Sequence, residues 1–217
     1  MRATLGAAVV VILLIPSRPL QAQKFSIGPQ IAFGDYKEVS ADLHYRGGGI
    51  AAKGTVAWKK FSADVVLSTI TYKPEGGTAT TEFDASEVDV RLRYLIAGPV
   101  SAELGFVNRK TDPEFEAQSV GAGVVGARIA YLLGPGVRMS LNGGLLTGSK
   151  FSGGGSVGAL GAIQLGLGMT VDALRGRLQF TGDYGFQRFS RETDDGSGPA
   201  SAPIQQSMGR IGLSIAF

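Results

Sequence analysis

The sequence predicts an all-β protein: a transmembrane antiparallel up-and-down β-barrel of ten strands. Three observations carry this reading. Through residues 24–217 apolar and polar positions alternate with a period of two, which in a strand puts the two kinds on opposite faces of the sheet. The links between alternating segments switch regularly between very short and long polar stretches, the rhythm of a barrel with tight turns at one end and loops at the other. No segment has helical periodicity, and no second apolar set could cover a one-faced sheet. The best soluble rival is therefore a lipocalin-like barrel with its apolar side inward.

Residues 1–22 precede the barrel. Arg2, an apolar run from Leu5 to Ile15, helix-breaking Pro16 and Pro19, and small Ala22 have the organisation of a cleaved secretory signal peptide. The run is shorter than the roughly 20 residues a spanning helix needs. Residues 23–217 are then the barrel domain. Without Arg2 and Arg18 the basic count falls from 21 to 19 against 18 acids, a net charge near +1. No Lys/Arg cluster is interleaved with aromatics, which argues against nucleic acid as a partner. With no cysteine and only His44, the chain lacks a disulfide framework and has few donors for a zinc or transition-metal site. No cofactor is implied.

The strands follow in order. KFSIGPQIAF turns Phe25, Ile27, Pro29, Ile31 and Phe33 one way. Residues 46–59 use Ile50, Ala52, Gly54, Val56 and Trp58. Residues 61–72 are ambiguous, because Val66, Ile70 and Tyr72 interrupt the face that holds Asp64, opposite Phe61, Ala63, Val65 and Leu67. SEVDVRLRYL places Val88, Val90, Leu92 and Tyr94 opposite Glu87, Asp89, Arg91 and Arg93, and VSAELGFVNR follows with Val100, Ala102, Leu104 and Phe106. Residues 118–133 turn Val125, Ala127, Ile129 and Tyr131 against Arg128. VRMSLNGGLLTG, VGALGAIQLGLGMTVD, RLQFTGDYGFQ and GRIGLSIAF complete the set, with apolar faces such as Leu141 and Leu145, Leu165 and Leu167, Phe180 and Tyr184, and Ile211 and Leu213. The polar stretches GDYKEVSADLHY, KPEGGTATT, KTDPEFEA, GSKFSGGGS and FSRETDDGSGPASAP read as the long loops. Trp58, Phe61, Tyr94, Tyr131 and Phe217 lie beside short turns or the C-terminus, and Phe33, Phe106, Tyr184 and Phe186 lie near the loops. Those are two aromatic girdles.

The signal-peptide organisation, the ten alternating segments and the terminal IGLSIAF ending in Phe217 resemble small bacterial outer-membrane β-barrel proteins over residues 24–217. The resemblance implies the bacterial outer membrane as location, with its lipid and lipopolysaccharide as surroundings. It also implies that Phe217 belongs to a segment read by the barrel assembly machinery. Many such barrels have eight strands, and eight stays open here because the third segment is ambiguous and the second is rich in glycine. The resemblance names neither a solute nor an extracellular partner.

An Arg turned to lipid at the bilayer midplane costs about 2 to 4 kcal/mol, and the opposite phasing would expose several at once. The charged face is therefore the lumen, lined by Glu87, Asp89, Arg91, Arg93, Glu103, Arg109, Arg128, Asp172, Arg177, Asp183 and Arg210. A tight AGP turn predicts Arg93 opposite Glu103 and Glu87 opposite Arg109, and a four-residue link predicts Asp172 opposite Arg177. Complementary signs favour a structural lattice that largely closes a lumen of roughly 10 Å backbone radius. The function read from this is a non-enzymatic barrel with a structural or surface-interaction role. A narrow channel for ions or small polar solutes is the first alternative, favoured by the inward Gly105, Gly126, Gly144, Gly166 and Gly168. A lipid-modifying enzyme using His44, near Ser40 and Glu38, is the second. GAGVVG, residues 121–126, has the letters of a dinucleotide loop but sits inside a strand. The ETDD run, residues 192–195, lacks the spacing of a calcium loop.

Overall fold

A computed structural model describes residues 23–112, 115–194 and 199–217. The signal-peptide segment and Asp195 of the ETDD run lie outside the described residues. The strands are β1 (Gln23–Glu38), β2 (Leu43–Trp58), β3 (Phe61–Gly77), β4 (Phe83–Ala97), β5 (Val100–Asp112), β6 (Val120–Gly134), β7 (Val137–Phe151), β8 (Ser156–Ala173), β9 (Leu178–Asp194), the three-residue β10 (Pro199–Ser201) and β11 (Ile204–Ala216). Each long strand pairs antiparallel with its sequence neighbour, and β11 pairs with both β9 and β1, so the sheet closes. The barrel has ten strands, not eight; β10 only lengthens the edge of β9, Ser201 opposite Glu192. GAGVVG lies within β6.

The seam ends at the last residue. Phe217 donates its backbone N–H to the Phe25 carbonyl at 2.8 Å, Phe25 donates back at 3.4 Å, and the two rings lie 6.0 Å apart.

Strands run further than the polar stretches predict. GDYKE belongs to β1 and LHY to β2, so the first loop is only residues 39–42. Residues 73–77 continue β3 and residues 189–194 continue β9. The reason is parity. Counting on from outward Phe33 puts Tyr36 inside and Lys37 outside, and counting back from Ile50 puts Tyr45 inside, so alternation continues with its polarity exchanged. The ambiguity in β3 resolves the same way, with Val66, Ile70 and Tyr72 buried on the face of Asp64.

The outward face of β1 is apolar from Phe25 to Phe33. At a rise of about 3.3 Å per residue and a tilt of about 40° this belt is about 23 Å tall, close to the roughly 25 Å apolar band of membrane barrels. The whole of β1 reaches about 40 Å by the same arithmetic, so the loop end projects beyond the belt. There the outward residues are Lys37, Arg46, Lys73, Asp84 and Lys110.

One predicted pair is displaced. Ala173 still pairs with Leu178, so Asp172 faces Gln179 and Arg177 sits in the turn, exposed to solvent. Backbone geometry causes this: Leu174, Arg175 and Gly176 are all left-handed, with φ of 47°, 60° and 83°, and this tight left-handed turn moves the four-residue link one position along the chain. Arg177 is therefore not a lumen residue. Asp172 accepts from Gln179 at 2.9 Å and lies 3.7 Å from Arg138.

Deleting Phe217 removes a reciprocal pair of seam hydrogen bonds and a ring contact. It should lower the yield of barrel refolded in detergent, read as loss of the heat-modifiable band in electrophoresis.

Candidate functional site

The interior has two tiers. In the half nearer the short turns, strands β3, β4 and β5 bring charged side chains to one wall. The predicted register holds, with Arg93 opposite Glu103 and Glu87 opposite Arg109. Arg93 donates to Glu103 at 2.7 Å and to Asp64 at 2.6 Å. Arg91 grips Asp89 through two nitrogens and reaches Glu103 at 3.5 Å. Arg109 donates to Glu87 at 2.8 Å and to Gln187, across the lumen on β9, at 2.9 Å. Glu103 is 1% exposed and also accepts from Gln164 of β8 at 3.5 Å.

A second knot sits on the far wall. Asp183 accepts from Arg210 at 2.8 Å, Gln30 at 3.3 Å and Lys53 at 3.5 Å. Arg128 donates to Ser140 at 3.0 Å. In this tier the cations Lys53, Arg91, Arg93, Arg109, Arg128 and Arg210 face the carboxylates Asp64, Glu87, Asp89, Glu103 and Asp183. Signs that nearly balance do not make a selectivity ring, which needs one sign of charge around the lumen. They make a lattice.

The inward glycines do not hollow it out. A Cβ at Gly105 would meet the Arg91 side chain at 2.8 Å, and one at Gly166 would meet Asn142 Oδ1 at 2.3 Å. Gly126 and Gly144 are direct cross-strand partners, and a Cβ on either would lie 2.9 Å from the other's Cα. These glycines seat neighbouring side chains and backbones. Between the lattice side chains lies a chamber of about 120 Å³, room for a handful of waters. Gln206 and Arg210 line it, and Gln206 Oε1 and Arg210 Nη1 find no hydrogen-bond partner among the described residues.

The upper tier is apolar and was not visible as a site in the sequence. Tyr36, Tyr45, Tyr72 and Phe83 are buried inside the barrel mouth and meet tilted, edge to face or stacked, with Tyr72 and Phe83 4.9 Å apart. Phe115, from the loop after β5, stacks on Phe83 at 4.4 Å and stands 5.3 Å from Tyr45. Phe151 and Phe189 form a smaller pair beside it, with the Arg191 guanidinium over Phe151 at 4.8 Å. Hydrogen bonds lash the loops across: Gln118 donates to Glu38 at 2.7 Å and accepts from Arg191 at 2.7 Å, and Gly153 donates to the Ala117 carbonyl at 2.9 Å. The signal that could have revealed this tier is the strand parity of Tyr36 and Tyr45, hidden because Tyr36 sits among Asp35, Lys37 and Glu38 and Tyr45 between His44 and Arg46.

His44 points outward on β2. Its Nε2 lies 2.9 Å from Asp35 Oδ2, and Arg46 approaches the same oxygen at 3.4 Å. Among the described residues no hydroxyl is hydrogen-bonded to His44, and no group of His, Cys, Asp and Glu could hold a metal ion.

No family model matches the chain, and no curated protein matches its sequence. In structure it is similar to the outer membrane protease OmpT from Escherichia coli, with a TM-score of 0.51 and 10% identity, over 92% of this chain and 98% of that one. Neisserial surface protein A aligns over 89% of this chain and 97% of its own at 10% identity and a TM-score of 0.44. Ail, the attachment invasion locus protein of Yersinia pestis, aligns over 89% and 98% at 12% identity and a TM-score of 0.42. The fold is that of the small bacterial outer-membrane β-barrel proteins.

Glu103 stands between Arg91, Arg93 and Gln164, so Glu103→Ala takes a charged hydrogen bond from Arg93, which keeps Asp64, and leaves the buried lattice one carboxylate short. It should lower the unfolding free energy by about 1.5 to 3 kcal/mol in urea titration of the detergent-folded barrel. Lys73→Ala, on the exposed outer wall, should stay within about 0.5 kcal/mol.

Proposed function

We propose that this chain is a non-enzymatic barrel of the bacterial outer membrane whose lumen is held shut and whose role is structural or one of surface interaction through its projecting loop end. The supporting observation is that two independent seals lie in series. A charge lattice fills the half within the apolar belt, and an aromatic tier lashed by loop hydrogen bonds fills the mouth above it. A solute would have to displace both. The outward belt supports the membrane location, because many large apolar side chains, among them Ile31, Ile50, Leu104 and Ile211, are more than half exposed on the outer wall.

A narrow passage for water or small ions is the second reading. The chamber of about 120 Å³ and the unpaired Gln206 and Arg210 atoms favour it, since buried polar groups of this kind take water as their partner. The His44 reading rests on the Asp35 contact alone, and a general base serves nucleophilic catalysis only when a nucleophile is in reach. It stands behind both.

Single-channel recording separates the first two. Barriers in series are governed by the tighter one, so wild-type protein should be almost silent, and Arg93→Ser with Glu103→Ser should remain so. Adding Tyr45→Ala and Phe83→Ala to that pair should open measurable conductance. A wild type that conducts like an open porin would move the channel reading to first place.

Orientation follows from the same proposal. A peptide tag within residues 152–156 should react with antibody on intact cells, and one within residues 134–136 should react only after the envelope is permeabilised.

A further inference from the structure

The rim at the short-turn end is divided into two arcs. Sheet order places β4, β5, β6 and β7 side by side, and their two connections, residues 94–100 and 131–137, carry no charged residue. Instead Ile96, Leu132 and Leu133 project from them, 57%, 74% and 60% exposed. The rest of the rim runs from the β8–β9 turn through the β1–β11 seam to the β2–β3 turn. It carries Lys24, Lys59, Lys60, Arg175 and Arg177, all exposed, with Leu174 and Phe217 exposed between them at 72% and 75%, and among the described residues no exposed acidic side chain accompanies the cations. Lys59 and Arg175 adopt left-handed backbone, φ 54° and 60°, and the Lys59 ammonium lies 4.9 Å from the Trp58 ring.

A rim lying level with a membrane surface would meet one environment all round. This one does not fit a single environment. Bare leucines at headgroup depth expose apolar surface to water, whereas lysine and arginine at that depth meet phosphate and carry their apolar stems in the acyl region. The apolar arc is also continuous with the belt above it, through Tyr94 and Leu92 on β4 and Tyr131 on β6.

We propose that the barrel sits obliquely, with the β4–β7 lip sunk among acyl chains of the adjoining leaflet while the basic arc holds the phosphate groups of its phospholipids. The partner is the lipid surface itself, preferentially an anionic one. This rests on the membrane reading given above.

Because the chain has no cysteine, a single introduced thiol gives a unique label. Ile96→Cys and Leu133→Cys report the lip, Lys60→Cys and Arg175→Cys the arc, and Leu104→Cys the belt. Each protein, checked for heat-modifiable mobility, is labelled with an environment-sensitive fluorophore and reconstituted in phosphatidylethanolamine vesicles with phosphatidylglycerol. Quenching by lipid-borne nitroxide should be about twofold or more stronger at the lip than at the arc, with iodide in the reverse order. Equal depths at lip and arc would overturn the oblique seating while leaving the membrane reading intact. A lip open to iodide beside a lipid-quenched belt would overturn it too, and would mark that arc as a protein-docking surface. A belt label at Leu104 reached by iodide would instead sink the membrane reading. In a second arm, Lys59, Lys60, Arg175 and Arg177 are changed together to glutamine. The excess of spin-labelled phosphatidylglycerol over phosphatidylcholine at the protein should then fall to parity, and an unchanged excess would overturn the phosphate contact.

Discussion

In hydrocarbon there is no water to satisfy a backbone N–H or C=O, so a sheet that crosses a bilayer must leave no edge. Everything else here answers to that constraint. Closure through β1 and β11 satisfies the last edge groups, and it fixes which face of every strand meets lipid. Once the outer face is committed to apolar residues, the inner face must take the polar ones, and a lumen this narrow brings their charges into contact. The lattice of Arg91, Arg93, Asp64 and Glu103 follows from closure as much as from any function.

Above the belt the constraint lifts and the strands reverse their polarity. On β4, Val88, Val90 and Leu92 face out over Asp89 and Arg91, but a few residues on Asp84 faces out over Phe83 and Ala85. β3 makes the same change between Leu67 and Tyr72. The projecting part is therefore built like a soluble barrel, with an apolar core and a wet exterior, on the same unbroken strands. Burying each large core side chain there contributes about 1.5 to 3 kcal/mol, whereas the lattice below contributes mainly by not being broken.

Much of this could be read before the structure was known, and the limits are physical. Period-two alternation located all ten strands and their outward faces, because lipid enforces it residue by residue. The pairs Arg93–Glu103 and Glu87–Arg109 were legible because the short link around Gly98 and Pro99 leaves little freedom of register. Arg177 was misplaced because its link contains left-handed Leu174 and Arg175, a conformation that sequence does not advertise outside glycine. The aromatic tier was missed because residues such as Asp35, Lys37 and Glu38 look like loop when polarity is weighed and parity is not. Phe115 joins that tier from a loop, where no periodicity points to it.

The aromatic tier also decides what kind of heat the molecule absorbs. Belt residues move from lipid or micelle into a similarly apolar or mixed surrounding when the barrel opens, so they add little to the hydration of hydrocarbon. Tyr36, Tyr45, Ile70, Phe83, Leu146, Phe189 and Ile204 move from a dry interior into water. The heat capacity increment of unfolding, which scales with apolar surface newly hydrated, is thus set chiefly by the mouth, with a smaller share from Val66 and Val107 beside Asp89. The curvature of stability with temperature is set by the loop-end part of the barrel, above the apolar belt.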